Sequence, residues 1–71
     1  MTDTVPLIQP GDLVEGAASG STFGSKVRVR VDREPWSGGV TSEGRANTVL
    51  SDGRGVHMVY TDTIRIIERA N

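Results

Sequence analysis

Apolar and polar residues alternate along much of this chain with the two-residue period of a half-buried β-strand. The clearest stretch is residues 26–32, in which three valines share one face and charged side chains share the other. No stretch of a dozen residues is free of Gly, Pro or clustered β-branched residues, so the pattern predicts no helix. The chain is therefore expected to be all-β.

Turn residues divide the rest of the sequence into further strands. The predicted strands cover residues 13–15, 36–41, 46–51, 55–60 and 64–68. Asp52 and Gly53 suit a tight hairpin turn, and the Gly38 and Gly39 pair predicts a bulge or sharp bend. Residues 61–63 suit a single 3-10 turn. The expected fold has five to six short antiparallel strands with one 3-10 turn.

The length of 71 residues allows one hydrophobic core. Residues 1–10 are predicted to be a flexible N-terminal segment, and residues 11–69 a single domain, with a loop of small residues at 16–25. The first ten residues lack the basic start and apolar run of a signal peptide, and no later stretch approaches a membrane span. A cytoplasmic location is expected.

Composition removes several kinds of chemistry from consideration. The chain has no Cys, which excludes disulfides and thiol catalysis, and its formal net charge of -1 gives no overall attraction to nucleic acid. His57 is the single His and has no Asp or Glu at a helpful spacing for a shared metal, and no G-x-S-x-G motif is present. Gly16, Gly20 and Gly24 match no phosphate-binding motif and are interpreted as a pliable loop. No enzyme activity, catalytic residue, metal or cofactor is predicted.

The order of the predicted elements resembles that of SH3-like small β-barrels, especially Tudor-type and KOW-type modules. The resemblance covers about residues 26–68 and depends on the strand at 26–32, W-x-x-x-V at 36–40, V-x-x-D-G at 49–53 and the short turn at 62–64. It implies a closed, strongly bent barrel in which the first and last strands pair, so that residues 26–32 would lie beside residues 64–68.

The resemblance also implies a class of function, because small stand-alone barrels of this kind occur among bacteriophage and bacterial accessory proteins. It implies a non-enzymatic module for protein binding or self-assembly, in the host cytoplasm if phage-encoded. The alternatives are a nucleic-acid-binding regulator and a small virion or assembly component. Fold alone does not choose among these functions, because the same barrel carries many of them.

Three aromatic residues are candidates for partner binding. Phe23, in the small-residue loop, either plugs the end of the barrel or contacts a partner. Trp36 either fills the core of a chain poor in aromatic residues or is a binding hot spot. Tyr60 is expected to point its ring inward and to leave its hydroxyl free to reach water or a loop carbonyl.

Two patterns extend beyond single residues. If the strand at residues 26–32 pairs with the strand at residues 64–68, four arginines converge: Arg28, Arg30, Arg65 and Arg69. This Arg ridge either binds phosphates or an acidic partner, or is a solvated charge ladder. If Val56, Met58 and Tyr60 point inward, Val59 points outward, and if Ile64 and Ile66 point inward, Ile67 points outward. The two exposed apolar residues then need a cover. That cover would come from the chain itself, from a protein partner or from a second copy, and the residues available within the chain are Leu7, Ile8 and Leu13.

Overall fold

Six strands and one 3-10 turn account for the regular structure, in a computed structural model that describes residues 7–20 and 24–70. The strands are β1 (Leu13–Ala17), β2 (Lys26–Arg30), β3 (Trp36–Val40), β4 (Ala46–Ser51), β5 (Val56–Tyr60) and β6 (Arg65–Glu68), and the 3-10 turn is Thr61–Thr63. The prediction of an all-β fold with short antiparallel strands and one 3-10 turn is confirmed.

The strands form two antiparallel sheets of three strands, in the orders β2-β1-β6 and β3-β4-β5. The sheets are not closed into a barrel. The closed barrel that the resemblance implied is therefore wrong. The two sheets approach each other at two described places. Ala18 and Val59 form an isolated bridge, beside which Ser19 N–H donates to the Met58 carbonyl, and Asp32 N–H, just after β2, donates to the Ser51 carbonyl of β4.

The predicted pairing of residues 26–32 with residues 64–68 is also wrong. β1 lies between β2 and β6, with Glu15 opposite Arg28 on one side and opposite Arg65 on the other. The expected loop at 16–25 begins later than predicted because β1 continues to Ala17. At five residues, β1 is long enough to form hydrogen bonds along both of its edges. It therefore separates β2 from β6, which were expected to pair.

Local turn chemistry behaves as the sequence indicates. The pairing of β3 with β4 shifts register between Ser37 and Gly39, and Gly39 has φ +91°, which together form the predicted bulge. Gly53 has φ +87° in the turn between β4 and β5, where a residue with a Cβ would be strained. The Asp52 carboxylate accepts hydrogen bonds from the Arg54 and Gly55 N–H groups and so fixes this turn.

The core lies between the two sheets and contains mostly branched aliphatic side chains. Val29 and Val31 point into it, as the alternation at residues 26–32 predicts, and Leu50 of β4 lies at its centre. Ile8, from the segment predicted to be flexible, is also buried there, while the domain boundaries themselves stay a prediction. The complete cluster is Ile8, Val14, Val29, Val31, Leu50, Val59 and Ile64.

The predicted facing of β5 is wrong. Val59 is fully buried, whereas Val56 and Met58 are exposed and Tyr60 is half-buried. Val59 faces inward because β1 crosses it: a Cβ built on Gly16 would lie 2.9 Å from the Val59 Cβ. Apolar residues occupy both faces of β5, so the sequence pattern had two solutions, and the crossing of β1 selects the one that was not predicted.

Candidate functional site

Trp36 begins β3, the strand at one edge of the second sheet. It lies opposite Val49 of β4, which in turn lies opposite Met58 of β5. Residues that are directly opposite share a face, and this face is the one turned away from Leu50 and the core. Trp36 is 44% exposed, so its ring is available for contact and is not part of the core cluster.

Val49, Val56 and Met58 lie around Trp36 and complete an apolar surface. We call these four residues, Trp36 included, the Trp36 face. Val49 is buried although it points outward, because Met58 reaches across β4 toward β3. A Cβ built on Gly38 would lie 3.1 Å from Val49 Cγ2 and 3.3 Å from Met58 Cε. Because Gly38 has no side chain, the end of Met58 can lie over Val49 and against β3. The resulting apolar surface is shallow.

A cleft of about 450 Å³ adjoins Trp36 and borders the N-terminal segment. Its apolar lining comes from Leu7 and Ile8 of that segment and from Pro35 and Trp36 at the start of β3. Leu7 is 69% exposed, so its side chain offers apolar surface at the mouth of the cleft. The cleft thus has apolar surface from two separate parts of the sequence.

The polar lining of the cleft divides into groups that already have partners and groups that do not. Thr48 Oγ1 and Thr61 Oγ1 share a hydrogen bond of 2.7 Å, and Ser37 Oγ accepts one from Gly39 N–H at 3.2 Å. Asn47 is 7% exposed, and its Oδ1 accepts no hydrogen bond from any described residue. The remaining polar group, the exposed Glu34 carboxylate, has no ion pair within residues 7–20 and 24–70.

Glu34 differs in this respect from most carboxylates of the described chain. Six of these each lie between 3.0 and 3.5 Å from an Arg guanidinium or, for Asp52, from the His57 ring: Asp12, Glu15, Asp32, Asp52, Asp62 and Glu68. Glu43, at the turn between β3 and β4, is the other described carboxylate without such a partner. Of the two, Glu34 alone lines the cleft.

The N-terminal wall of the cleft is fixed by the C-terminal end of the described chain. Arg69 Nη1 donates to the Leu7 carbonyl at 2.8 Å and lies 3.5 Å from the carboxylate of Asp12. That carboxylate is buried and accepts hydrogen bonds from the Ala70 and Gln9 N–H groups at 2.7 and 3.0 Å. These N–H groups, with the Arg69 charge, hold the pKa of Asp12 below its ordinary value despite burial. We call this group of contacts the end clasp.

Tyr60 lies on the second sheet but does not line the cleft. Its hydroxyl reaches the loop after β1, as predicted, but accepts a hydrogen bond of 3.0 Å from Gly20 N–H instead of donating to a loop carbonyl. The Arg45 guanidinium lies 3.8 Å from the centre of the Tyr60 ring and 3.0 Å from the Asp62 carboxylate. These contacts hold the loop after β1 and the turn after β5 against the second sheet.

The four arginines of the predicted Arg ridge lie at the first sheet, but each is close to a carboxylate. Arg28 and Arg65 lie 3.0 and 3.9 Å from Glu15, and Arg30 lies 3.0 Å from Glu68. Arg69 belongs to the end clasp. The hydrogen bond from Arg28 lowers the pKa of Glu15, which keeps this largely buried carboxylate charged. The geometry is that of a cross-strand charge ladder, and nucleic-acid binding by these residues stays a prediction.

The other predicted partner-binding residues are not brought together. Ile67 is 38% exposed on the first sheet, as expected, but Val59 is buried and offers no surface to a partner. Phe23 lies outside the described residues. Trp36 is therefore the member of the predicted set around which the structure builds an accessible site.

His57 and Asp52 form a separate pair at the hairpin between β4 and β5. His57 Nε2 lies 3.1 Å from Asp52 Oδ2. The hydrogen bond with His57, together with the Arg54 and Gly55 N–H groups, lowers the pKa of Asp52 to about 2. Within the described ranges, no three His, Asp or Glu side chains are grouped as a metal site.

Sequence reasoning missed Leu7, Pro35, Met58 and Glu34 as site residues. The signal that could have indicated Glu34 is its position in Glu34-Pro35-Trp36, where Pro forces the preceding residue into extended backbone at the start of a strand. No comparable signal links Leu7 to Trp36, because their proximity depends on the end clasp.

Comparison with protein-family models, with curated proteins and with solved structures gives no match for this chain. Within the described part of the chain, no helix has the length and apolar character needed to cross a membrane.

Proposed function

We propose that this protein is a non-enzymatic protein-interaction module whose partner docks at the cleft, with Trp36 as the anchor. The observation that carries the proposal is that a half-exposed Trp on an edge strand adjoins an apolar cleft of about 450 Å³. Large aromatic side chains next to a pocket are enriched among residues that dominate binding energy. The described site offers apolar surface and hydrogen-bond acceptors but no paired nucleophile and base, which supports binding rather than catalysis.

The finer family assignment also belongs to this proposal. We infer a relationship to SH3-like small barrels, supported by two three-stranded antiparallel sheets and by a 3-10 turn placed before the last strand. A role as a bacteriophage or bacterial accessory protein in the host cytoplasm is part of the same inference. The open arrangement of the sheets is the feature that departs from it.

Affinity capture from the lysate of the cells that encode the protein tests this function. The parent and a Trp36→Ala variant are compared after nuclease treatment, with Ile67→Ala as the matched control, because Ile67 is a similarly exposed apolar residue on the other sheet. We expect a partner that Ile67→Ala retains and that Trp36→Ala loses by about tenfold or more in affinity. Thermal melting of each variant shows whether the fold is kept.

Two results would contradict the proposal. One is a partner that binds folded Trp36→Ala as well as the parent. The other is capture that disappears on nuclease treatment, which would indicate that nucleic acid mediates it.

A nucleic-acid-binding regulator is the second candidate, favoured by the grouping of Lys26, Arg28 and Arg65 around the single carboxylate of Glu15. This face would bind phosphates with a strong salt dependence. Loss of duplex or single-strand binding on replacing Arg28 and Arg65 together with Ala, at low salt, would support it. No binding by the parent under those conditions would remove it, and with it the proposed phosphate-binding role of the Arg ridge.

A further inference from the structure

Among the described residues, the cleft beside Trp36 has one charged side chain without a partner, the exposed Glu34 carboxylate. Asn47 Oδ1 also lacks a described donor, but it is buried and does not face a partner. Glu34 is the one carboxylate of the cleft, while most carboxylates elsewhere in the described chain have a cation beside them. A partner that complements the cleft therefore brings a hydrogen-bond donor with a positive charge.

The backbone beside the cleft also limits the shape of the partner. No described strand lies beyond β3 in the second sheet, so the first residues of β3 offer an open edge. An extended segment can add to such an edge through main-chain hydrogen bonds. The bulge at Ser37–Gly39 interrupts the edge, and the Gly39 N–H is already donated to Ser37 Oγ. Pairing is thus restricted to a short stretch next to Trp36.

A second copy of the chain fits this surface less well. Interfaces in stable complexes take roughly 800 Å² from each partner, which is about a sixth of the 4902 Å² surface of this chain. The large exposed apolar side chains are dispersed: Leu7 is in the N-terminal segment, Ile67 is on the first sheet, and the second sheet has Trp36, Val56 and Met58 on its outward face and Val40 opposite Ala46 on the other. A short segment of another protein needs far less surface than that.

We propose that the occupant of the cleft is an extended peptide segment of a partner protein that carries a Lys or Arg next to an apolar side chain. The cation pairs with Glu34, and the apolar side chain lies against Trp36, Pro35 and Leu7. This inference depends on the proposed interaction function and names the chemistry of its partner. Glu34 is the residue that selects the partner's charge, and Trp36 supplies apolar contact.

An immobilised library of nonapeptides tests the chemistry directly. Each peptide is acetylated and amidated, has a background of Gly, Ser and Thr, and varies at two positions separated by zero, one or two residues. The full chain is applied at low ionic strength. We expect enrichment of Lys or Arg at one varied position and of Leu, Ile, Val, Met or Phe at the other.

The strongest library peptide is then measured by fluorescence anisotropy against the parent, Glu34→Gln and Glu43→Gln. Glu43 is the matched control, because it is the other described carboxylate with neither an Arg nor a His beside it, and it does not line the cleft. We expect Glu34→Gln to weaken binding by about fivefold to tenfold and Glu43→Gln to leave it unchanged. Glu34→Lys is expected to prefer the same peptide with its cation replaced by Glu.

The outcomes separate this inference from the function on which it depends. Peptide binding that needs Trp36 but shows no preference for a cation, or equal effects of Glu34→Gln and Glu43→Gln, overturns the inference and leaves the interaction function standing. No peptide binding beside a Trp36-dependent partner in the capture experiment overturns it as well. Binding that persists in folded Trp36→Ala overturns both.

Discussion

The two sheets of this protein differ in how they use their outward-facing residues. On the first sheet, Glu15 is largely buried between Arg28 and Arg65, and Arg30 pairs with Glu68. On the second sheet, the outward face carries Trp36, Val56 and Met58, and residues 36–42 contain no charge at all. Edge strands with charged side chains resist further pairing, whereas uncharged edges accept it.

In this short chain, stability and binding depend on different sheets. The first sheet carries the end clasp and most of the described ion pairs, so it holds Leu7 and Ala70, and with them the N-terminal wall of the cleft, in place. The second sheet leaves apolar surface and the Glu34 charge without partners. We therefore expect substitutions in the inter-sheet core and first sheet to affect mainly folding, and substitutions on the Trp36 face and cleft to affect mainly binding.

The two valines of β5, one buried between the sheets and one exposed, should differ most in their effect on the free energy of unfolding. Val59→Ala removes buried atoms at the junction of the sheets and should lower the free energy of unfolding by about 2–3 kcal/mol. Val56→Ala removes the same atoms from an exposed position and should cost less than about 0.5 kcal/mol. Urea unfolding of both variants measures the difference. Equal losses would contradict the assignment of the two valines to different environments, and a larger loss for Val56→Ala would show that the strand faces the other way.

Two glycines provide a smaller test of the same contrast. Gly16→Ala would place its Cβ 2.9 Å from the Cβ of Val59, and a stiff β-branched neighbour in a packed core should make this cost about 1–3 kcal/mol. Gly38→Ala would meet the flexible end of Met58 at 3.3 Å and Val49 at 3.1 Å, so we expect a change below about 1 kcal/mol. Thermal and urea unfolding check both values. A Gly38→Ala loss that matches the Gly16→Ala loss would mean that the Trp36 face is as tightly packed as the junction.

The smallest expected effect is on the acid stability of the end clasp. Because the folded-state pKa of Asp12 is lowered, its contribution to stability is present above its ordinary pKa of 3.8 and is lost as the pH falls below that value. Asp12→Asn should therefore reduce stability at neutral pH and flatten the decrease of stability between about pH 5 and pH 2. Unfolding followed by circular dichroism across this range measures the slope.

Glu34→Gln is the charge-matched control for that experiment, because it removes the same charge from a carboxylate that no described cation contacts. It should leave the stability at neutral pH close to that of the parent. An acid slope of Asp12→Asn identical to the parent's would contradict the role of the clasp.

Several elements could be predicted from the sequence because their causes are local. Strand β4 at Ala46–Ser51 and the 3-10 turn at Thr61–Thr63 have the predicted bounds. The bulge at Gly38 and Gly39 and the turn at Gly53 also lie where the glycines indicate, because positive φ is nearly free of strain for Gly alone. Trp36 was among the predicted contact residues, and the structure gives it an exposed site.

Other features could not be predicted because they depend on contacts distant in sequence. Whether Val59 or Val56 faces the core depends on β1 crossing at Gly16, more than forty positions away. The predicted convergence of the four arginines requires β2 and β6 to be neighbours, whereas β1 lies between them and places Glu15 between Arg28 and Arg65. Arg69, expected to be part of the Arg ridge, instead holds Leu7 at the cleft.

The all-β class, the positions of most strands and the glycine turns can be predicted from the amino-acid sequence, since they follow from side-chain alternation and backbone sterics over a few residues. The tertiary structure alone decided which face of β5 is buried, which sheet is charged and which is apolar, and that Leu7, Glu34 and Trp36 share one cleft. The physical reason is that an alternating strand with apolar residues on both faces satisfies burial in either orientation, and packing against a distant strand makes the choice.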